Sequence, residues 1–469
     1  MSKAIKQKIP LRSVIRWSAV VLAFFSLAPA FFAQSILPPQ RNLLPPRLDL
    51  EGAVEKALAD NPQTKIAESG VKTAEAGIAE ARTGKKPFVQ FSQSAVRSNN
   101  PVFVFGSLLE QGRFSSANFA VQSLNHPDGL FNFRSQVDAR MPLFDQRQTR
   151  SRIARAENGK NQMLLRAEAT RQQLRFEVVR DYYGAVLAGE MLEVNRRAVR
   201  SAEANSQKTR DMVEVGMTTD ADYLAADVEL ANANQHKLEA ENNLITSRAA
   251  LNITLGDEPD FERELTGTLK ETYFPEEDQN ELIRLALTNR PDYQRAELAV
   301  EDGRQQTRSI RDQKLPRVEA FGNFGYSSPY LANGSSDYTV GVNLTYTLFD
   351  AGRRARIERS AEGETTAELE KENLGNRIKL EVIRALQNYR TAGAKIRVSV
   401  KSIAQAEGAL RIIQDRYKFG LTTFNEVLRA EAALVQAEHN LLTARYAYLV
   451  SYASLLLATG RLTDVRAFE

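Results

Sequence analysis

The chain has no cysteine among its 469 residues. That absence excludes disulfide staples, thiolate nucleophiles, cysteine-ligated zinc or iron–sulfur centres, and an N-terminal cysteine carrying a lipid anchor. Histidine is nearly as scarce. The three present, His126, His236 and His439, lack the i, i+4 spacing that sets a metal-binding pair on one helix face. Gly322-x-x-Gly325 interrupts an alternating segment rather than joining a strand to a helix. It reads as close backbone approach or a small lipid-facing site, not as a phosphate loop. Nothing pairs a nucleophile with a base, so neither catalysis nor a cofactor is expected.

What the chain has in slight excess is positive charge, +4 from 62 basic and 58 acidic residues. Such an excess invites a nucleic-acid reading. Five of the cations, Lys3, Lys6, Lys8, Arg12 and Arg16, precede an apolar run from Trp17 to Phe32 that holds the small residues Ala28-Pro29-Ala30 and leads to Ala33. This is the layout of a secretory signal peptide over 1–33, cleaved after Ala30 or Ala33. A retained anchor is the alternative, but the run is shorter than the ~20 apolar residues a spanning helix needs. Without those cations the balance falls to 57 basic against 58 acidic residues, and no nucleic-acid partner is expected.

Proline is missing between Pro142 and Pro259 and again after Pro329. Interior proline costs a helix about 3 kcal/mol, so these stretches, rich in Ala, Glu, Leu and Arg, read as long helices over about 146–214 and 351–418, each reaching ~100 Å. Gly216 and Gly420 end them, and the pairs Thr218-Thr219 and Thr422-Thr423 are placed to cap the helices that return.

The two halves correspond by simple offsets. Ala57 to Pro62 lies over Ala286 to Pro291, and Pro87 over Pro316, at 229 residues. Leu143-Phe144-Asp145 lies over Leu348-Phe349-Asp350 at 205, and Glu177 to Arg180, the Gly-x-Thr-Thr turns and Gly256 recur at 204. The pattern indicates a tandem duplication. A signal and a linker at 34–47 precede repeat 1 at 48–256, with a hairpin at about 87–143. A linker at 257–277, repeat 2 at 278–460 with a hairpin at about 316–348, and a tail at 461–469 follow.

Within the second hairpin Tyr338, Val340, Val342, Leu344, Tyr346 and Leu348 alternate with small polar residues, and Val318 to Tyr326 forms the partner. In the first, Phe131, Phe133, Val137, Ala139, Met141 and Leu143 alternate with Asn132, Arg134, Gln136, Asp138 and Arg140. Strands with one apolar and one polar face suit a transmembrane β-barrel. Four strands cannot close one, because open edges in lipid leave backbone groups unpaired, so copies of the chain must share it. The extra residues of the first hairpin hold an apolar stretch, Pro101 to Leu109, which either extends a strand or packs on neighbouring loops.

The doubled Asn/Arg-Pro, Pro, Leu-Phe-Asp and Gly-x-Thr-Thr pattern, with Arg416-Tyr417-Lys418-Phe419 leading into the second turn, resembles the TolC-like outer-membrane efflux protein family over essentially the whole mature chain. The resemblance implies a mainly α protein with membrane β: a homotrimer in the outer membrane, a shared twelve-stranded barrel, and a long α-helical coiled-coil barrel in the periplasm. It implies a passive exit duct of a tripartite efflux pump or type I secretion system, with a periplasmic adaptor (membrane fusion) protein, an inner-membrane transporter and outer-membrane lipid as partners. By that resemblance the turns at Gly216, Thr218, Thr219, Gly420, Thr422 and Thr423 dock the adaptor. Tyr417 matches a tyrosine that ties neighbouring helices at the periplasmic gate, Glu426 falls where an inward Asp often occurs, and Asp222 is its counterpart. Arg429 replaces a second inward Asp, which leaves the sign of selectivity open. From the residues alone, Asp220, Asp222 and Glu426 equally suit the positive helix N-termini. The alternatives are a periplasmic coiled-coil scaffold or adaptor without a barrel, and an exported enzyme.

Overall fold

The computed structural model describes residues 46–269, 274, 275 and 277–468. The expected signal peptide and the linker as far as Pro45 lie outside the described residues. A two-residue strand β1 (Arg47–Leu48) leads into α1 (Leu50–Asp60) and α2 (Pro62–Thr83), then β2 (Phe88–Ser98), α3 (Pro101–Glu110), a 3-10 turn (Ser116–Phe119), α4 (Val121–Asn125) and β3 (Leu130–Asp145). The long α5 (Gln148–Glu214) and returning α6 (Asp220–Leu255) complete the first half. After β4 (Glu264–Leu265) the second half runs α7 (Gln279–Asn289), α8 (Pro291–Asp312), β5 (Arg317–Ser328), β6 (Ser335–Thr345), α9 (Arg353–Lys418) and α10 (Phe424–Ala458), ending in a 3-10 turn (Arg466–Phe468).

The proline-free runs are α5, of 67 residues, and α9, of 66. Both end in the same left-handed glycine motif. The N–H of Gly216 donates to Val213 O and that of Met217 to Met212 O, while Gly420 donates to Tyr417 O and Leu421 to Arg416 O. The returning helices end likewise at Gly256 (φ +82°) and Gly460 (φ +69°). Here the glycine is required twice over. A Cβ on Gly256 would lie 3.0 Å from the Asp60 carbonyl carbon, and one on Gly460 would lie 2.9 Å from that of Asn289, whereas at Gly216 and Gly420 the space is open.

Those contacts press the ends of α6 and α10 onto the α1–α2 and α7–α8 corners. Asn61 caps α2 by accepting from Gln63 N at 2.8 Å, and its Nδ2 donates to Thr254 O at 2.9 Å. At the matching corner Arg290 provides no side-chain cap. Its guanidinium instead donates to Asp292, to Glu381 and to Ala458 O, the counterpart of Thr254 O. A long side chain thus keeps the cross-link while giving up the cap.

The main core lies where α1, α5, α6, α7, α9 and α10 meet, around Leu174, Val178, Tyr182, Leu251, Leu282, Ile378, Leu386, Leu449 and Tyr452. α10 is long and apolar enough to cross a membrane by length and composition, but its apolar residues fill this core. The segment read as a 257–277 linker packs here too. Leu269 is buried, Phe274 stacks on Tyr452 at 3.8 Å, and Gly267 N donates to the Tyr182 hydroxyl, which bonds onward to Leu48 O. The supposed tail buries Leu462, Val465 and Phe468, whose carbonyl accepts from Tyr183. Both segments hold few apolar residues, spaced without period, so only the assembled helices reveal their use.

Replacing Gly256 or Gly460 by Ala should combine left-handed strain with a clash and cost about 2–3 kcal/mol, against about 1 kcal/mol at Gly216 or Gly420. Thermal unfolding of the detergent-extracted protein, followed by circular dichroism, checks this. Equal losses at all four sites would remove the contact argument.

Candidate functional site

Four strands make one antiparallel sheet in the order β2-β3-β5-β6. The register aligns Phe91, Val137, Phe324 and Tyr338 across all four strands, and Val89, Ala139, Gly322 and Val340 in the next apolar row. This face is bare: Phe91 is 65% exposed, Tyr338 79% and Val340 78%. Apolar surface of this extent needs lipid or protein over it. β6 ends at Thr345, so Tyr346 and Leu348, which continue the alternation in sequence, lie beyond the strand. β3 shifts register between Pro142 and Phe144, as expected where a proline supplies no ladder N–H. Among the described residues, β2 and β6 each have one edge with no partner strand.

The opposite face carries Ser94, Asn132, Arg134, Gln136, Asp138, Asn323, Asp337, Thr339 and Asn343. Arg134 on β3 reaches over β5 to grip both Asp337 carboxylate oxygens on β6, at 2.9 and 3.0 Å. It passes above Gly325, where a Cβ would sit 2.5 Å from its Nη2. Close approach is therefore what Gly325 provides, while Gly322 has only ordinary contacts. The apolar stretch Pro101 to Leu109, left open by the sequence, is the helix α3, begun by Asn100 accepting from Val102 N and Phe103 N. Glu110, Gln111, Asn132, Arg134 and Asp337 form a polar group that sequence reasoning did not single out. Its only trace is the polar phase of the alternating strands.

At the far end of the helices the two turns meet. Thr219 caps α6: its Oγ1 accepts from Asp222 N at 3.2 Å, and the Thr218 and Thr219 hydroxyls donate to Asp222 Oδ2 at 2.8 and 2.9 Å. The Thr218 bond holds the Asp222 carboxyl below its ordinary 3.8 against the opposing cost of desolvation, with the Thr219 side-chain and backbone bonds adding to the lowering. Tyr417, from the end of α9, lies against this group. Burial pushes its phenol above 10.0, nearby Asp222 adds to the rise, and a hydrogen bond with Thr218 opposes it. Its ring packs on Phe424 at 5.6 Å, and Phe424 and Val427 are buried with Ala226 of α6. The sequence expectation that the second Thr pair caps α10 is corrected here. Thr423 makes no side-chain cap, and the helix start is held by its carbonyl accepting from Glu426 N and by burial of Phe424. Glu426 and Arg429 pair with each other at 3.2 Å and are largely exposed. Thus Thr218, Thr219, Asp222 and Tyr417 form one cluster, Glu426 and Arg429 a separate pair, and Gly216 and Gly420 the bends between helices.

His236 and His439, distant in sequence, both line a cavity of about 420 Å³ among α5, α6, α9 and α10. Burial lowers His439 from 6.5. No group of three His, Asp or Glu suited to a metal occurs among the described residues.

The family profile for outer membrane efflux proteins matches residues 53–257 and 282–461. The chain belongs to that family. Outer membrane protein TolC of Vibrio cholerae is 24% identical over 313 residues, spanning 63% of this chain and 69% of its own. Outer membrane efflux protein BepC of Brucella suis is 22% identical over 428 residues (88% and 86%), and alkaline protease secretion protein AprF of Pseudomonas aeruginosa is 26% identical over 353 (71% and 70%). Among solved structures, the Campylobacter jejuni CmeC outer membrane channel superposes with a TM-score of 0.73 at 17% identity, covering 88% of this chain and 86% of its own. VceC of Vibrio cholerae gives 0.71 at 19% (88% and 96%). This outer membrane efflux protein is a channel for efflux or secretion, located in the outer membrane, and its family is one of channels rather than enzymes.

A carboxyl held below its unfolded value stabilises the folded turn above that value, and the contribution is lost as pH falls through the lowered one. Protection of the turn around 216–222, followed by hydrogen–deuterium exchange corrected for intrinsic rates, should therefore decline as pH falls below about 4 in the native protein. Asp222→Asn should leave it flat over that range. A flat native profile would refute the cap's role.

Proposed function

We propose that three copies of this chain close a twelve-stranded barrel, β6 of one against β2 of the next, and that the helices continue inward as a coiled-coil barrel through the periplasm. The observation that carries this is a four-stranded sheet with one bare apolar face and two open edges. In lipid each unpaired backbone group costs several kcal/mol, and an intermolecular ladder satisfies them all. The chain is a tandem duplication of 48–256 and 278–460. Helix pairs of equal length, 11 and 11 then 22 and 22 residues, and two family-profile matches support that reading.

The assembled protein is a passive exit duct that completes a tripartite efflux pump or a type I secretion system. Its turns at Gly216, Thr218, Thr219, Gly420, Thr422 and Thr423 dock a periplasmic adaptor, and an inner-membrane transporter supplies cargo. The periplasmic gate is the cluster of Asp222 and Tyr417 with the neighbouring Glu426–Arg429 pair. Asp222 is bound only by neutral hydroxyls and an amide, so its charge stays unbalanced in a narrow mouth, where it attracts cations. Glu426 shares its charge with Arg429 and contributes less.

Detergent-extracted protein is expected to cross-link as a trimer and to conduct ions in planar bilayers. A soluble periplasmic monomer would establish the scaffold alternative. Asp222→Asn combined with Glu426→Gln should move the reversal potential in a salt gradient away from cation preference, and Arg429→Ala should move it the other way. Unchanged potentials in both would discard the gate assignment.

A further inference from the structure

The two halves differ most between their strands. β5 and β6 are joined by a short turn, whereas β2 and β3 are separated by α3, a 3-10 turn and α4. This insertion is a folded unit. Phe114 packs edge-on against Phe105 at 4.8 Å and Phe119 at 5.2 Å, and Ser107 and Gln111 are buried beneath α3.

Every polar contact that ties the insertion down falls on one face of the sheet. Gln111, 3% exposed, donates from Nε2 to Phe131 O at 2.8 Å and Asn132 Oδ1 at 3.0 Å. Glu110 Oε2 accepts from Asn132 Nδ2 at 3.2 Å and Ser327 Oγ at 3.3 Å, and lies 3.5 Å from Arg134 Nη1. Arg134 is itself locked to Asp337. Gly112 (φ +64°) lies against Ser335, where a Cβ would come within 3.3 Å. Asn132, Arg134, Ser327, Ser335 and Asp337 all belong to the polar face, at the strand ends farthest from the long helices.

We infer that residues 101–125 form a second constriction of the duct, at its extracellular mouth, with Glu110 and Gln111 latching α3 to the inner wall through Asn132, Arg134 and Ser327. The inference rests on the barrel reading, because an apolar face in lipid turns the polar face to the lumen. A helix with its side chains is about 10 Å across, so three of them over the inner wall narrow the mouth and sieve what leaves. Burial of Gln111 and the convergence of Asn132, Ser327 and Arg134 on one Glu110 oxygen favour the latched position.

A chain without cysteine allows a clean test. Asn343→Cys places a thiol on the polar face of β6, six residues or about 20 Å inward of Asp337, and Val342→Cys places one on the adjacent apolar position. Whole cells are treated with a small membrane-impermeant maleimide or with a bulky polyethylene-glycol maleimide, and only trimeric protein is scored. The small reagent should label the thiol at 343 and spare that at 342. The bulky reagent should label 343 slowly, and about tenfold faster when Glu110→Gln and Gln111→Leu are added, or when 101–125 is replaced by a short Gly-Ser linker, since either removes buried polar contacts. Unchanged bulky labelling in both variants would overturn the constriction while leaving the barrel intact. Labelling at 342 in preference to 343 would overturn the barrel reading, and the constriction with it.

Discussion

In hydrocarbon, a backbone N–H or C=O that lacks a protein partner has no water to turn to, and this one constraint organises the rest of the chain. A sheet of four strands with free edges at β2 and β6 is stable in lipid only as a sector of something closed. The apolar rows through Val89 and Phe91, the strand-long pairings and the placement of both hairpins at one end of the helices all suit the proposed closure. The helices are freed from it. Because α5 and α9 satisfy their own backbones, they extend ~100 Å from the sheet into water with little apolar surface along most of their length, and meet in a dense core only where the shorter helices and the chain's end pack round them.

Much of this was legible in the residues. Missing proline marked α5 and α9 to within a few residues, since one interior proline breaks a helix, and Gly216 and Gly420 marked their ends, since only glycine takes the left-handed bend cheaply. The period-two pattern of Tyr338 to Leu344 marked β6. What escaped was decided by distant partners. Arg134 and Asp337 lie 203 residues apart, and nothing local says that the register brings them together across Gly325. The segment Pro101 to Leu109 has no clear period, so its helix was settled by the Asn100 cap and by what it covers. Leu269, Phe274 and Phe468 are single apolar residues in polar surroundings, and their burial depends on an aromatic pocket built by Tyr182, Tyr389, Tyr448 and Tyr452.

At the turns, local helix chemistry and the proposed gate make the same demands on the same residues. A carboxylate at the third helical position favours the positive helix end, and under the proposed gate it would also face what passes the turn. Asp222 and Glu426 occupy that position in the two halves, yet their surroundings differ. The Asp222 carboxylate accepts from two hydroxyls and the Thr219 backbone N–H and has no cationic partner among these, whereas Glu426 is matched by Arg429. An exposed pair of this kind contributes at most about 1 kcal/mol to stability, so Arg429 does little to hold α10 in place.

A similar division recurs at the helix corners and at the long-helix turns, although Asp49 and Asp278 cap α1 and α7 alike. Asn61 caps α2 and cross-links to Thr254 O, while Arg290 cross-links to Ala458 O through an ionic cluster. Thr219 caps α6 with its side chain, while α10 begins on a buried Phe424. The backbone geometry is kept at each site and the side chains that hold it are exchanged, which follows if the two units share one architecture but face different neighbours. The first half spends polar side chains on local caps and carries the insertion at the outer strand ends. At these corners and turns the second half uses ion pairs and burial instead, and it supplies Tyr417 to the turn of the first. Separating the two helix tips of one chain therefore means breaking the Tyr417–Phe424 packing against Ala226, a contact between its two halves.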